Sequence, residues 1–265
     1  MSAIDQLFHE LHAAGRKAFM PFVTAGDPDL DFTAAVIREL AARGATLCEL
    51  GVPYSDPIAD GPVIQASYTR ALNKKIKLAD ILAMLKTLAP GLPVPIVTMV
   101  SYSIVFRHGL EKYVADAKAA GVAGAIVPDL PVEEAAPFAN ICRREDFSLI
   151  QLITPTTPRD RALKIARQTT GFIYYVSVAG ITGERAVLPQ SIVENVAWLR
   201  KQTPLPICIG FGISRPEHVR ILSPVADGLI VGSAIVRRMA HAAKKPRQEI
   251  FKEIGDYAAE LMAAM

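Results

Sequence analysis

Residues 206–233 read PICIGFGISRPEHVRILSPVADGLIVGS, and this stretch decides the fold. Two short apolar runs, 206–210 and 228–231, flank a polar-to-amphipathic segment. Each run is nearly free of polar residues, the pattern of a parallel strand covered on both faces. Between them, Ser214-Arg215-Pro216-Glu217 matches a capping box ahead of the apolar residues 219–222, which predicts a short helix. The unit is strand, loop, helix, strand. Antiparallel hairpins need no such crossover, so the sheet it belongs to is parallel.

Working outward, the same unit recurs along the whole chain. Apolar runs at 18–24, 47–51, 95–100, 124–128, 148–153 and 172–176 precede the two already quoted, making eight predicted strands. Helical periodicity is read at 31–43, 63–72, 78–88, 110–120, 132–144, 159–167, 191–201 and 234–265. The first of these places Phe32, Ala35, Val36 and Leu40 on one face and ends at Gly44, a C-terminal stop. Residues 3–13 form one more helix ahead of the first strand. Alternating strands and helices allow either a barrel or a doubly wound sheet. A count of eight favours an α/β fold of the (β/α)8 TIM-barrel type with an extra N-terminal helix, and 265 residues suit one barrel of about 250 residues. No linker, internal repeat or low-complexity segment interrupts residues 1–265, so one catalytic domain is expected.

Composition narrows the function classes. The chain is 51% hydrophobic and carries a net charge of only +3. Its densest basic spots, Lys74-Lys75 and Lys244-Lys245, do not form the clustered Lys/Arg face that nucleic acid requires. Cys48, Cys142 and Cys208 are widely spaced and form no C-x-x-C, so neither a redox motif nor a zinc knuckle is indicated. Isolated thiols suit a reducing cytosol. No basic-then-apolar leader opens the chain, and no apolar run reaches about 18 residues. The expected setting is cytoplasmic, without membrane or nucleic-acid partners.

A parallel barrel builds its site at the C-terminal ends of its strands. No predicted strand contains Lys, which argues against a Schiff-base mechanism. No His lies at the end of a predicted strand, which argues against a metal site made of imidazole and carboxylate. What remains is carboxylate acid–base chemistry at Glu49, Asp60 and Asp129. Glu49 lies in Leu47-Cys48-Glu49-Leu50-Gly51-Val52, where desolvation raises a carboxyl pKa and suits a group that both takes and gives a proton. A hydrogen-bonded structural Glu is the other reading. Asp60, before Gly61-Pro62, reads either as a helix N-cap or as a catalyst. Asp56 in Ser55-Asp56-Pro57 reads as a turn or interface residue. Tyr174 and Phe211 are core aromatics or the walls of a planar-ring site. Gly210, Gly212, Gly232 and Ser233 follow the last two strands, where barrels commonly bind phosphate; tight turns are the alternative.

Taken together, Pro21-Phe22-Val23-Thr24-Ala25-Gly26-Asp27-Pro28, the run Glu49-Leu50-Gly51-Val52-Pro53-Tyr54-Ser55-Asp56-Pro57-Ile58-Ala59-Asp60-Gly61-Pro62, Pro128-Asp129-Leu130-Pro131, Gly180-Ile181-Thr182-Gly183, Gly210-Phe211-Gly212-Ile213 and Val231-Gly232-Ser233-Ala234 resemble the tryptophan synthase alpha subunit. The likeness spans essentially the whole chain, and the second segment is its most specific part. It implies a lyase that cleaves indole-3-glycerol phosphate to indole and D-glyceraldehyde 3-phosphate by retro-aldol chemistry, with no metal or cofactor in this chain. It implies Glu49 and Asp60 as the catalytic pair. Phe22, Val100, Tyr102, Tyr174 and Phe211 would enclose the ring, and Thr182 would reach Asp60 from a second loop. Gly183, Gly212, Gly232 and Ser233 would hold the phosphate. Pro53 and Asp56 would face a pyridoxal-phosphate beta subunit in an alpha2-beta2 heterotetramer. Some members of the family carry Arg four residues before that Thr, where this chain has Val178. The alternatives are a standalone lyase on the same scaffold, a sugar-phosphate isomerase or indole-glycerol phosphate synthase, and a barrel that only regulates a partner.

Overall fold

A computed structural model describes residues 1–57, 60–176, 191–210 and 212–265, with Ser191 described by its backbone alone. Among the described residues, nine strand segments form one parallel sheet: β1 (Ala18–Thr24), β2 (Cys48–Gly51), β3 (Ile96–Met99), β4 (Val122–Ile126), β5 (Ser148–Ile150), β6 (Leu152–Ile153), β7 (Ile173–Val176), β8 (Ile207–Gly210) and β9 (Gly228–Val231). Their order is β5-β4-β3-β2-β1-β9-β8-β7-β6. The ends of that order, β5 and β6, are consecutive pieces of the one strand predicted at 148–153. They are separated only by Gln151, so the sheet closes through the chain itself. β5 pairs with β4 and β6 with β7. The eight-stranded barrel expectation therefore holds, with its fifth strand broken into two.

The helices are α1 (Ala3–Ala13), α2 (Leu30–Ala42), α3 (Pro62–Asn73), α4 (Leu78–Leu88), α5 (Tyr102–His108), α6 (Leu110–Ala119), α7 (Ala136–Arg144), α8 (Arg159–Gln168), α9 (Ser191–Arg200), α10 (Pro216–Leu222), α11 (Ser233–Met239) and α12 (Arg247–Met262). Most begin and end within two residues of expectation, and three regions differ. The helix predicted over 132–144 begins only at Ala136. The one predicted over 234–265 is two helices, because Pro246, which has no N–H to donate, stands as the N-cap of α12. Helix α5 was not predicted at all. Ser101 caps it through its hydroxyl to the Ser103 N–H, and Gly109 ends it at φ 93°, a conformation that favours glycine. Tyr102, expected among the ring-enclosing residues, is the first residue of α5.

Helix α1 closes one mouth of the barrel. Phe8 packs on Phe172 with ring centroids 5.6 Å apart, and the Ser2 and Ser148 hydroxyls are 2.9 Å apart. Ser148 starts β5 and Phe172 precedes β7, so the covered mouth is the N-terminal one. The C-terminal mouth is left for the site. No helix among the described residues is long and apolar enough to cross a membrane.

Candidate active site

The barrel register places three side chains in a row. Phe22 on β1 pairs with Glu49 on β2, and Glu49 with Val97 on β3. On the other side of β1 lies β9, followed at once by Gly232 and Ser233. Phe22 therefore stands between a carboxylic acid and a glycine–serine turn. One cavity joins these parts. Phe22, Glu49, Asp60, Tyr174, Gly212, Gly232 and Ser233 all line it, together with Met99 and the apolar face of α3. Of the ring-enclosing residues expected from sequence, Phe22 and Tyr174 line this cavity. Val100 is fully buried and Tyr102 half-buried, and neither lines this cavity. Phe211, Thr182, Gly183 and Val178 lie outside the described residues.

Two glycines shape the walls. A Cβ on Gly51 would overlap the Phe22 ring and lie 2.8 Å from the Tyr68 hydroxyl. A Cβ on Gly210 would overlap the Tyr174 ring. Gly210 is thus the last residue of β8 and a seat for Tyr174, rather than part of a phosphate turn. Gly212, at φ 78°, does occupy the left-handed region that glycine tolerates best.

Glu49 is 1% exposed, and neither carboxyl oxygen has a hydrogen-bond partner among the described residues. The reading as a hydrogen-bonded structural Glu therefore fails. Burial, and then the nearby Asp60 charge, push its pKa up to about 8. At neutral pH it holds its proton.

Asp60 is 7% exposed and does not cap α3. The N-cap is Gly61, Pro62 opens the helix, and no side chain caps it. The Asp60 backbone is held instead: its N–H donates to the Pro57 carbonyl at 3.1 Å, and its carbonyl accepts from Gln65 Nε2 at 2.7 Å. This leaves the carboxyl to the cavity, where burial raises its pKa to about 6. Below, the buried Asp27 anchors α3 to the end of β1, accepting from Arg70 at 2.9 and 2.7 Å and from Ser67 at 2.5 Å. The two cavity carboxyls thus differ in environment, one neutral and one ionised at pH 7, which is how a pair divides acid and base roles.

Asp129, the third candidate, is committed elsewhere. It accepts from the Ser101 hydroxyl and the Tyr102 N–H, both at 2.7 Å, and so holds the start of α5. Ser55 and Asp56 are exposed, whereas Pro53, expected to face a partner, is buried. The capping box expected at Ser214 is absent, since Arg215 is the N-cap of α10 without a side-chain bond. Arg237 and Tyr68, which sequence reasoning did not single out, and Ser214, which it read only as a helix cap, belong to this region. Arg237 and Ser214 line the cavity. The buried Tyr68 hydroxyl has no partner among the described residues, and burial first, then the nearby Asp60 charge, raises its pKa. Arg237 follows Ser233 by four residues on α11, a spacing that puts both on one helix face and was available in the sequence. Among the described residues no group of three or more His, Cys, Asp or Glu is arranged to hold a metal ion.

The comparisons with known proteins agree with this geometry. A family model described as tryptophan synthase alpha chain matches residues 8–264. A tryptophan synthase alpha chain from Rhodopirellula baltica is 56% identical, over 100% of this chain and 99% of its own length. The crystal structure of tryptophan synthase subunit alpha from Legionella pneumophila superposes with a TM-score of 0.90 at 32% identity, covering 100% of this chain and 98% of that one. A chain of the tryptophan synthase complex from Pyrococcus furiosus does so with a TM-score of 0.84 at 36% identity, covering 93% and 98%. With a barrel of the same architecture and a match along its full length, this chain belongs to the tryptophan synthase alpha chain family, the lyases that cleave indole-3-glycerol phosphate in tryptophan biosynthesis.

Proposed function

We propose that Glu49 and Asp60 carry out the family's reaction in this chain. The observation that supports it most is the pair itself: two buried carboxyls lining one largely apolar cavity, held at pKa values of about 8 and about 6. Neutral Glu49 gives its proton to indole C3. The ionised Asp60 accepts the indole N1–H and stabilises the positive charge that this protonation creates. Glu49, now a carboxylate, takes the proton of the side-chain hydroxyl. The bond from C3 to the side chain breaks, its electron pair returns to the ring, and the new carbonyl leaves as glyceraldehyde 3-phosphate. Glu49 ends protonated, as it began, so atoms and charge balance without an added cofactor in this chain.

Phe22 and Tyr174 flank the ring; Val100 and Tyr102 do not line the cavity, and a part for Phe211, outside the described residues, rests on the family likeness alone. The phosphate lies at the other end, on the backbone of Gly212, Gly232 and Ser233, with Gly183 as a further donor. A role for Thr182 toward Asp60 rests on the family likeness, since Thr182 lies outside the described residues. The beta subunit docks on the C-terminal mouth, around Asp56 and over Pro53. Phe106, a large aromatic left 68% exposed on α5, the helix that follows β3, offers the partner an apolar contact. We expect the pyridoxal phosphate to reside in that partner and the assembly to be alpha2-beta2. A cytosolic setting suits the three unpaired, buried thiols.

The test is indole and aldehyde release from indole-3-glycerol phosphate by the purified chain, alone and with beta subunit. The proposal expects stoichiometric products and acceleration by the partner. Full activity with no acceleration would instead favour a standalone lyase, and no cleavage under either condition would remove the assignment.

A further inference from the structure

The phosphate end of the cavity has more than backbone donors. Ser214, Ala234 and Arg237 line both the substrate cavity and a second, adjoining one, whose other walls are Arg215, Arg238, His241 and Glu253. The second cavity is therefore an antechamber, and it is predominantly basic. Its one carboxylate, Glu253, is already committed, lying 3.0 Å from Lys245, 3.4 Å from His241 and 4.0 Å from Arg238.

Ser214 stands at the junction with its backbone clamped. Its N–H donates to His218 Nδ1 at 3.3 Å and its carbonyl accepts from the Tyr257 hydroxyl at 3.0 Å. The Tyr257 ring is in turn covered by the Arg238 guanidinium, 3.5 Å from its centroid. The Ser214 hydroxyl is buried and has no partner among the described residues. A buried hydroxyl on a clamped backbone and a guanidinium that line the same two cavities can together serve as donors to an oxyanion. The substrate cavity's two carboxyls, by contrast, sit on and after β2, with β1 between them and the Gly232 turn.

We propose that Arg237 and Ser214 extend the phosphate subsite outward, and that Arg237 makes the enzyme selective for phosphorylated over dephosphorylated indole glycerol. The inference rests on the reading that the Gly212–Gly232–Ser233 end holds phosphate. Arg237 contributes the full positive charge that backbone amides lack, and the basic antechamber draws the dianion toward it. Ser214 supplies a fixed donor at the boundary.

The experiment uses the intact chain with sn-glycerol 3-phosphate as competitor, in wild type, Arg237→Gln, Arg237→Lys, Ser214→Ala and Gly212→Asp. A charge-assisted contact from the exposed Arg237 corresponds to about tenfold in affinity. Arg237→Gln should therefore raise the inhibition constant of glycerol 3-phosphate about tenfold, and flatten its dependence on salt. It should also lower the ratio of kcat/KM for indole-3-glycerol phosphate over indole glycerol by a similar factor. Arg237→Lys should recover most of that loss, and Ser214→Ala should weaken the competitor to a smaller extent. An unchanged inhibition constant in Arg237→Gln, with Gly212→Asp abolishing competition, would overturn the role of Arg237 while leaving the phosphate end in place. Equal losses for both substrates would overturn it too, as the mark of a structural effect. Absence of competition in wild type would overturn the phosphate reading itself.

Discussion

Replacing Glu49 by Gln should stabilise this protein, and by an amount that grows with pH. The carboxyl is raised from its ordinary value near 4.5 to about 8, by burial first and by Asp60 second. A group whose folded pKa lies above its unfolded pKa favours folding most when the pH is below both. As pH rises through the window between them, the unfolded chain releases the proton and the folded chain keeps it. Stability then falls by about 1.4 kcal/mol for each pH unit. Between pH 5 and pH 8 the loss sums to roughly 4 kcal/mol, and it levels off above pH 8, where both states are ionised.

Gln copies the shape and the neutral polarity of the protonated acid, but it does not titrate. Both side chains place polar atoms in the same apolar setting, so that shared cost cancels when only the change with pH is considered. Urea denaturation of wild type and Glu49→Gln at unit pH steps from 5 to 9 gives the difference directly. The variant should gain on wild type by roughly 4 kcal/mol across the range, with nearly all of the gain below pH 8. A difference that stays flat would mean that Glu49 is not held protonated in the fold, and the acid step assigned to it would lose its basis.

Asp60→Asn separates charge from scaffold: because the Asp60 carboxyl caps nothing, the melting temperature at pH 7 should hold or rise while turnover falls about 100-fold or more, and a lowered melting temperature with turnover retained would restore the capping role. The pH profile of kcat/KM should be bell-shaped, rising as Asp60 ionises at about 6 and falling as Glu49 loses its proton at about 8; in Asp60→Asn the acid limb should disappear, and its persistence would point to another group. Gly212→Asp, which forces a side chain into φ 78° and adds a like charge, should abolish the thermal protection that glycerol 3-phosphate gives wild type; undiminished protection would move the phosphate elsewhere. Asp56→Ala should reduce acceleration by the beta subunit more than it reduces the rate of the chain alone, and matching activation curves would take Asp56 out of the interface.

How much of this was legible in the sequence depended on how local the determining physics is. Strands buried on both faces leave continuous apolar runs, so all eight were readable, and β1 and β9 fall where expected to the residue. The break at Gln151 was not, since a polar residue in an apolar run does not say which neighbour each half will pair with. Helix α5 escaped because seven residues are too few to show a period, although Ser101 and Gly109 mark both its ends. Glu49 was readable because an acid within an apolar strand has few bland explanations. Asp60 was ambiguous, since a carboxylate before Gly-Pro has the same sequence pattern whether it caps the helix or turns into a cavity; only the bonds to its backbone decide. The roles of Gly51 and Gly210 depend on rings contributed by neighbouring strands, Phe22 and Tyr174, and no local pattern encodes them. The burial of Pro53 is of the same non-local kind.

In the proposed mechanism one buried acid, Glu49, both gives the proton to C3 and takes the proton from the hydroxyl. Single-turnover indole formation, with Glu49→Gln in excess over indole-3-glycerol phosphate at pH 7, tests it without interference from product release. Loss of one acid–base role costs roughly 10²–10⁴-fold, and two roles on one residue place the variant at the slow end of that range or beyond. Glu49→Gln should bind substrate, fold at least as stably as wild type, and form almost no indole. A single-turnover rate above about a tenth of wild type, far outside the range for a lost acid–base group, would contradict it.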